Sequence, residues 1–319
     1  MKVFFLSLTM LNDNQQDISP ISVASSNWCN RLKDKLVDKN IFIEYPFFYK
    51  TNLSFKKNLM KYFWFVITRK YNTNDRYCFY GFSITNILGL IISNYKGCKV
   101  YFIVPDVWDK YQKIFPFIIK FIKSKNIKIG FLSYKLAIDF SSYCLPGIIN
   151  FNENNKSLLQ KNKIVSMMAN GSHNDYKRVL NLFNNIDLYL LESYISLAPD
   201  VINKRGLDEY DCHKVEWVDD YILNRSLIGV SFYSQVLKKD VYNFPSKILE
   251  YFDRRIFVLT DKKIQIDPVM HHMCEFSESS NCDLFSLNNL VVKAKQTNID
   301  IFKKTSKELT NRFVCFFKD

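Results

Sequence analysis

Four residues in one short segment carry the chemistry of a site for a phosphorylated ligand: Pro245, Ser246, Lys247 and Glu250. Proline favours the first helical position, so a helix is expected to start there with the free N–H groups of Ser246 and Lys247 at its tip. Such a tip attracts anions, and Lys247 adds a positive charge. Glu250 falls on the same side, where its carboxylate can accept hydrogen bonds from two ribose hydroxyls. The segment predicts either a nucleoside diphosphate site or an ordinary amphipathic helix with both charged side chains in solvent.

This helix lies between two apolar runs, and the same alternation of strand and helix patterns extends along the chain. Strands are predicted at residues 2–9, 41–45, 77–80, 99–104, 127–132, 164–168, 188–191, 214–218, 227–233 and 255–260. Helices are predicted at residues 22–37, 59–67, 85–95, 111–123, 176–184, 245–252, 287–297 and 300–317. Alternating units of this kind indicate an α/β protein with parallel sheets.

A change in composition after Leu145-Pro146-Gly147 indicates a boundary between two domains. Residues 150–163 are rich in Asn and Lys, as a linker would be, and the strand–helix pattern then starts again. We therefore predict two Rossmann-like doubly wound domains, residues 1–155 and 156–319, facing a cleft, with the final helices packing back on the N-terminal domain. A ligand is expected at the carboxyl ends of the strands, in the cleft between the domains.

The composition excludes several classes of protein. The chain has 319 residues, of which 48% are hydrophobic and 16% aromatic, so it can bury a sizeable core and is not a disordered chain. Glycine occurs only 8 times, and neither G-x-G-x-x-G nor G-x-x-x-x-G-K-[ST] is present. The eight cysteines show no paired spacing, which favours free thiols and the cytosol.

The formal net charge of +13 indicates either nucleic acid or an anionic membrane and acidic ligands as partners. Lysines are spread along the chain in small clusters rather than in one tract, so we favour membrane-surface and phosphate attraction over nucleic acid. The aromatic and basic stretch at residues 45–69 fits lipid headgroups, or else is half core and half solvated. No segment reaches the length of about 20 apolar residues that a membrane span needs.

Metal binding receives only weak support from the sequence. His271, Cys274 and Cys282 lie close together, and Cys212-His213 could add ligands, yet no C-x2-C or H-x3-H pair is present. No metal site and no cofactor are therefore predicted.

The segment Pro245-Ser246-Lys247-x-x-Glu250-Tyr251-Phe252 before an apolar strand resembles the nucleotide-sugar motif of GT-B glycosyltransferases of the group 1 (family 4) type. Residues 164–177 are similar to the opening strand and loop of that family's C-terminal domain, and residues 104–108 to a turn in its N-terminal domain. The residues that the resemblance, together with the anion-site chemistry, assigns to the donor are Gly171, His173, Lys177, Arg178, Pro245, Ser246, Lys247 and Glu250.

The resemblance implies transfer of a sugar from a nucleotide-diphosphate donor in the C-terminal domain to a glycan or lipid-linked acceptor in the N-terminal domain. The implied setting is bacterial surface polysaccharide synthesis, lipopolysaccharide or capsule, by a cytoplasmic protein peripheral to the inner membrane. Fixed cations would stabilise the leaving diphosphate without a metal ion. Asp17 and Asp106 are candidate general bases for an inverting reaction, or else loop-capping residues.

Two departures from the family's pattern keep other functions open. Tyr242 stands where the family has the first Glu of its E-x7-E motif, and Asp17-Ile18-Ser19-Pro20 replaces a Gly-Gly loop. A nucleotide-sugar epimerase of the same architecture would turn over without an acceptor. A non-catalytic GT-B binding module would bind nucleotide, or none, without transfer.

Overall fold

The structure, a computed structural model, divides the chain by its internal contacts into two compact units. It describes residues 1–8, 20–50, 53–105, 111, 113–150, 161–167, 176–184, 191–196, 212–215, 218–232, 247–261, 263–277 and 284–318. Side chains in the three helices that begin at residues 20, 176 and 284 are described from residues 28, 178 and 288 onward. The first unit comprises Met1–Ile148 and the chain from Leu309 onward, and the second comprises most of the chain from Ile149 to Glu308.

The described residues of the first unit form a six-stranded sheet in which all neighbouring strands are parallel. The strands follow the order β2-β1-β3-β4-β5-β6. They are β1 (Lys2–Leu6), β2 (Phe42–Glu44), β3 (Arg76–Tyr80), β4 (Lys99–Val104), β5 (Lys128–Phe131) and β6 (Tyr143–Cys144). This is the order of a doubly wound sheet.

Helices cover both faces of this first sheet. They are α1 (Pro20–Val37), α2 (Phe55–Thr68), α3 (Ile84–Tyr95), α4 (Phe115–Lys123), α5 (Tyr134–Asp139) and the end of α10 (Ile299–Lys318). Buried residues of α2 to α5 join one core cluster with Phe4. Phe5 points to the opposite face because strand side chains alternate, and there it meets Trp28 of α1, whose ring also contacts Phe313 of α10.

The second unit contains another six-stranded parallel sheet, in the order β12-β11-β10-β7-β8-β9. Its strands are β7 (Lys163–Met167), β8 (Glu192–Ser196), β9 (His213–Val215), β10 (Ser226–Ser231), β11 (Phe257–Thr260) and β12 (Cys274–Phe276). Counted from β7, this is the order 3-2-1-4-5-6 of Rossmann sheets. The helices are α6 (Tyr176–Asn184), α7 (Asp220–Arg225), α8 (Lys247–Asp253), a 3-10 helix (Pro268–Met273), α9 (Leu284–Gln296) and the first part of α10.

These two sheets confirm the predicted α/β class with two Rossmann-like domains. The strand after α6 differs from its prediction: it runs Glu192–Ser196, beyond the apolar run at 188–191, of which residues 188–190 lie outside the described part. This strand alternates, with Ser193 and Ile195 buried and Glu192 exposed, and so lacks the continuous apolar signal of a central strand. Over the described residues, no helix combines the length and apolar character needed to cross a membrane.

Candidate functional site

The carboxyl ends of β7 and β10 mark the point in the second sheet where the strand order reverses. From β7 the chain continues to β8 on one side, and from β10 it continues to β11 on the other. In open α/β sheets, ligands bind outside the carboxyl ends of the strands at such a point. Lys247, the first described residue of α8, lies there, since its Nζ donates a hydrogen bond to the carbonyl oxygen of Met167, the last residue of β7.

Tyr251 fixes α8 against this reversal point. Its side chain is fully buried, and its hydroxyl accepts a hydrogen bond from the Met167 N–H (N···O 3.0 Å) and points to the Val230 carbonyl oxygen at 3.4 Å. One phenol therefore joins the end of β7 to the neighbouring strand β10. Because Lys247 lies one helical turn before Tyr251, this contact also positions the lysine.

Gly229 makes the close approach of Tyr251 possible. A Cβ atom on Gly229 would lie 2.7 Å from the Tyr251 ring, closer than carbon atoms can pack. The sequence holds the signal for this contact, a glycine inside an otherwise apolar strand, which often marks the approach of another group.

Gly229→Ala is expected to lower the free energy of unfolding by about 1–3 kcal/mol, because the added methyl overpacks the core against Tyr251. Urea unfolding followed by circular dichroism measures the change. Ser231→Ala in the same strand is the matched control, since it adds no atoms to the core. An unchanged urea midpoint for Gly229→Ala would contradict the assigned contact.

Lys247 and Glu250 place opposite charges on one helix at this edge of the sheet. Burial lowers the pKa of Lys247 from its ordinary value of 10.5 to about 8, and the nearby Glu250 carboxylate opposes that shift. The Glu250 side chain is partly exposed, with one carboxylate oxygen 3.6 Å from the Arg254 guanidinium. An ammonium has three donors, so Lys247 has capacity for an anion beyond its bond to Met167. The pair can offer a cation to a phosphate and a carboxylate to hydroxyls.

Arg178 of α6 is buried at the same edge, where it links the ends of three strands. Its guanidinium lies 3.2 Å from the Asp261 carboxylate, donates to the Ser277 carbonyl oxygen at 2.8 Å and stacks 4.0 Å over the Phe232 ring. These three residues directly follow β11, β12 and β10. The arginine that the resemblance assigns to the donor thus forms an ion pair within the protein.

The structure places two of the predicted donor residues, Arg178 and Lys247, at the carboxyl edge of the second sheet. Glu250 follows three residues after Lys247 on α8, with its carboxylate next to the Arg254 guanidinium. The backbone of Lys177 lies in α6 beside Arg178, and its side chain is outside the described part. Predictions that concern residues outside the described ranges stay predictions; these residues are Gly171, His173, Pro245, Ser246, Asp17 and Asp106.

The structure also describes two of the residues that were candidates for metal ligands, His271 and Cys274. His271 lies with its Nε2 3.1 Å from the Ile266 carbonyl oxygen, and burial raises the pKa of the Cys274 thiol. Within the ranges that the structure describes, no group of three or more His, Cys, Asp or Glu side chains is arranged to hold a metal ion. Cys282 lies outside those ranges.

Comparison with known proteins identifies the fold. No family model matches the chain, and neither does any curated protein sequence. AviGT4, a glycosyltransferase involved in avilamycin A biosynthesis, is similar in structure, with a TM-score of 0.63, 7% sequence identity, and coverage of 99% of this chain and 97% of that one. The structure described as trehalose-6-phosphate from E. coli bound with UDP-2-fluoro glucose matches with a TM-score of 0.58, 8% identity, and coverage of 100% and 98%.

A third similar structure is that of an enzyme with a different activity. The UDP-GlcNAc 2-epimerase from Neisseria meningitidis bound to UDP-GlcNAc matches with a TM-score of 0.51, 11% identity, and full coverage of both chains. The two Rossmann-like sheets and these neighbours define the chain as a protein of the GT-B fold, as the sequence resemblance implies. At sequence identities of 7–11%, these structural similarities establish the fold alone.

Proposed function

We propose that this protein is a glycosyltransferase that uses a nucleotide-diphosphate sugar, bound at the carboxyl edge of the second sheet. The observation that carries the proposal is the position of Lys247. Its ammonium is held by the Met167 carbonyl oxygen at the reversal point of a Rossmann-order sheet, with Glu250 one turn later on the same helix. A cation for the diphosphate and a carboxylate for the ribose are thereby supplied by one rigid element. Similar structures of this fold hold UDP-2-fluoro glucose and UDP-GlcNAc.

The chemistry proposed for this site is electrostatic. Departure of the nucleoside diphosphate develops negative charge on its phosphate oxygens, and a fixed ammonium stabilises that charge more in the transition state than in the ground state. Within the described part of the chain, Lys247 is placed to supply this ammonium. The proposed donor site also includes Lys177, Gly171, His173, Pro245 and Ser246. A metal ion is not needed in this scheme.

The acceptor half of the proposal rests on the resemblance. We assign a glycan or lipid-linked acceptor to the first unit, as in synthesis of a bacterial surface polysaccharide, and a general base to Asp17 or Asp106. An attacking hydroxyl must lose its proton as the new bond to the sugar forms, which a carboxylate can accept.

A nucleotide-sugar epimerase is the second candidate, favoured by the full-length similarity to the UDP-GlcNAc 2-epimerase. The two candidates differ in one requirement. An epimerase converts its nucleotide sugar without any acceptor, whereas a transferase releases nucleoside diphosphate in step with acceptor glycosylation. Product analysis by mass spectrometry and NMR, with and without acceptor glycans, separates them.

Glu250→Gln is expected to weaken nucleotide binding about tenfold to a hundredfold, because a neutral amide replaces an ionised acceptor of two hydroxyl hydrogen bonds. The measurement is the rise in melting temperature with UDP, GDP, CMP, ADP and their sugars, since ligands that bind only the folded state raise it by mass action. Glu44→Gln, whose carboxylate pairs with Lys2 at the surface of the first unit, is the control. A folded protein that responds to no nucleotide would refute the donor site.

A further inference from the structure

Helix α3 carries apolar side chains on its outer side as well as on its inner side. Leu90 is fully buried and Ile87 and Ile92 pack against the core. On the outer side the stripe Ile84, Leu88, Ile91 and Tyr95 is exposed, Leu88 and Ile91 by somewhat more than a third and Tyr95 by 91%. These four positions recur at intervals of three and four residues and so lie along one side of the helix. A helix side that faces only water is mainly polar, so this exposed apolar stripe indicates a partner.

The polar residues on the inner side of α3 are satisfied within the protein, so the orientation of the helix is well determined. Asn86 accepts a hydrogen bond from the Tyr62 hydroxyl at 2.6 Å and donates to the Tyr80 and Gly81 carbonyl oxygens. Gly89 lies so close to Phe79 that a Cβ would be 2.4 Å from its ring. Rotating the helix to bury its apolar stripe would break these contacts.

The helices on the same side of the first sheet extend this surface. In α2, Met60 and Trp64 are exposed beside Lys57 and Lys61, and in α4, Phe117 and Phe121 are exposed beside Lys120. Phe117 is 74% accessible and Trp64 57%. Helix α2 packs against α3, and the Phe82 ring just before α3 contacts the Phe115 ring of α4. We call the exposed side of α2, α3 and α4 the apolar–basic face.

The positive charge of the chain is concentrated in the segment that forms this face. Residues 45–138 contain sixteen lysines and arginines and three aspartates, whereas basic and acidic residues are equal in number over the rest of the chain. The whole formal charge of +13 therefore lies in this segment. Helix α3 itself has no charged residue between Ile84 and Tyr95, so an uncharged apolar ridge is flanked by lysines of α2 and α4.

We propose that the apolar–basic face binds the surface of an anionic lipid bilayer. The α3 ridge would enter the boundary between headgroups and acyl chains, where exposed Trp and Tyr side chains are also favoured, and the flanking lysines would contact lipid phosphates. The inference deepens the proposed function, because it names the surface that brings the protein to a lipid-linked acceptor, and it requires nothing of the donor site.

Charge and chemistry favour this occupant over two others. A second copy of the chain would bring one cationic face against another, which repels. Nucleic acid would attract the lysines but offers no apolar phase for Ile84, Leu88 and Ile91.

The test is flotation of the full chain with vesicles of phosphatidylcholine alone and of equal parts phosphatidylcholine and phosphatidylglycerol. Strong binding to the mixed vesicles, weakened by salt, and little binding to the neutral ones are expected. Binding only to a DNA or RNA oligonucleotide, or binding to neither kind of vesicle, would overturn the proposal.

Two sets of variants separate this face from charge in general. Lys57→Gln/Lys61→Gln/Lys120→Gln is expected to weaken binding to the mixed vesicles about a hundredfold. Lys295→Gln/Lys304→Gln/Lys307→Gln removes the same charge from exposed positions of α9 and α10 and is expected to keep most of the binding. Equal losses in the two triple variants would refute the assignment of the face.

A pair of double variants tests whether the exposed apolar side chains of this face contribute to vesicle binding. Leu88→Gln/Phe117→Gln is expected to weaken vesicle binding at least about tenfold. Ile264→Gln/Val292→Gln changes two exposed apolar residues of the second unit and is expected to leave binding unchanged. Circular dichroism and the nucleotide-induced rise in melting temperature should be preserved in all four variants, so a failure of the donor site is recognised separately from a failure of this face.

Discussion

Replacing Lys247 with methionine is expected to weaken binding of a nucleoside diphosphate about 100- to 1000-fold, because it removes one partner of a partly buried, hydrogen-bonded charge pair. The side chain of Lys247 is partly buried, and its ammonium is held by the Met167 carbonyl oxygen. Methionine keeps the length of the side chain and its apolar stem while removing the charge. The free protein should stay folded, because burial already disfavours the charged form of this lysine.

The rise in melting temperature with nucleotide, measured for the wild type and Lys247→Met, tests this expectation. Lys295→Met, which removes an exposed lysine from α9, should bind nucleotide as the wild type does. Undiminished binding by Lys247→Met would exclude this lysine from the donor site.

The pH dependence of the same binding follows from the pKa of Lys247, which burial lowers to about 8. Affinity for the diphosphate should fall as the pH rises through about 8, since the ammonium loses its proton, and Lys247→Met should lack this fall. Stability of the free protein has the opposite sign. Between pH 8 and the ordinary pKa of 10.5, the unfolded chain binds more protons at this site, so the contribution of Lys247 to stability increases with pH there.

Replacing Arg178 with methionine is expected to lower the free energy of unfolding by about 3–5 kcal/mol, because it removes the guanidinium from a buried ion pair with the Asp261 carboxylate. Arg178 is almost fully buried and links residues that follow three strands of the second sheet. This effect would be structural, whereas a residue that only contacted the donor would change binding and leave stability intact.

Urea unfolding of Arg178→Met, Asp261→Asn and the double variant measures the pair directly. The double variant should be destabilised by less than the sum of the two single changes, since each single change already breaks the contact. Arg225→Met is the control, because its guanidinium stacks on the exposed Tyr221 ring. A stable Arg178→Met that fails to bind nucleotide would instead make Arg178 a donor contact.

The fold could be predicted from the sequence because most of its strands are continuous apolar runs separated by helix-period patterns. Residues 99–104 and 176–184 were predicted with the bounds that the structure shows. Short elements whose stability comes from neighbours were missed: helices α5 and α7, strands β6 and β12, and the 3-10 helix. A two-residue strand such as β6 pairs with β5 through tertiary packing and has no periodicity of its own.

Residues of the candidate site could be predicted from the sequence only where they belong to a recognised motif. Lys247, Glu250 and Tyr251 all stand in the recognised motif, but the motif does not show that Tyr251 joins α8 to two strands. The ion pair of Arg178 with Asp261 joins positions 83 residues apart in the chain, and no local spacing predicts it. The concentration of positive charge was visible in the sequence as a lack of acidic residues, which a search for clusters of lysine does not detect.

The last ten residues of α10 complete a core that the first half of the chain begins. Phe313 packs on Trp28, and the Tyr101 hydroxyl donates to the Phe317 carbonyl oxygen at 2.8 Å. During synthesis, the first unit therefore leaves the ribosome with part of one sheet face uncovered until α10, more than 150 residues later, has also been made. A truncation that removes the second half of α10 would therefore destabilise the domain that is made first.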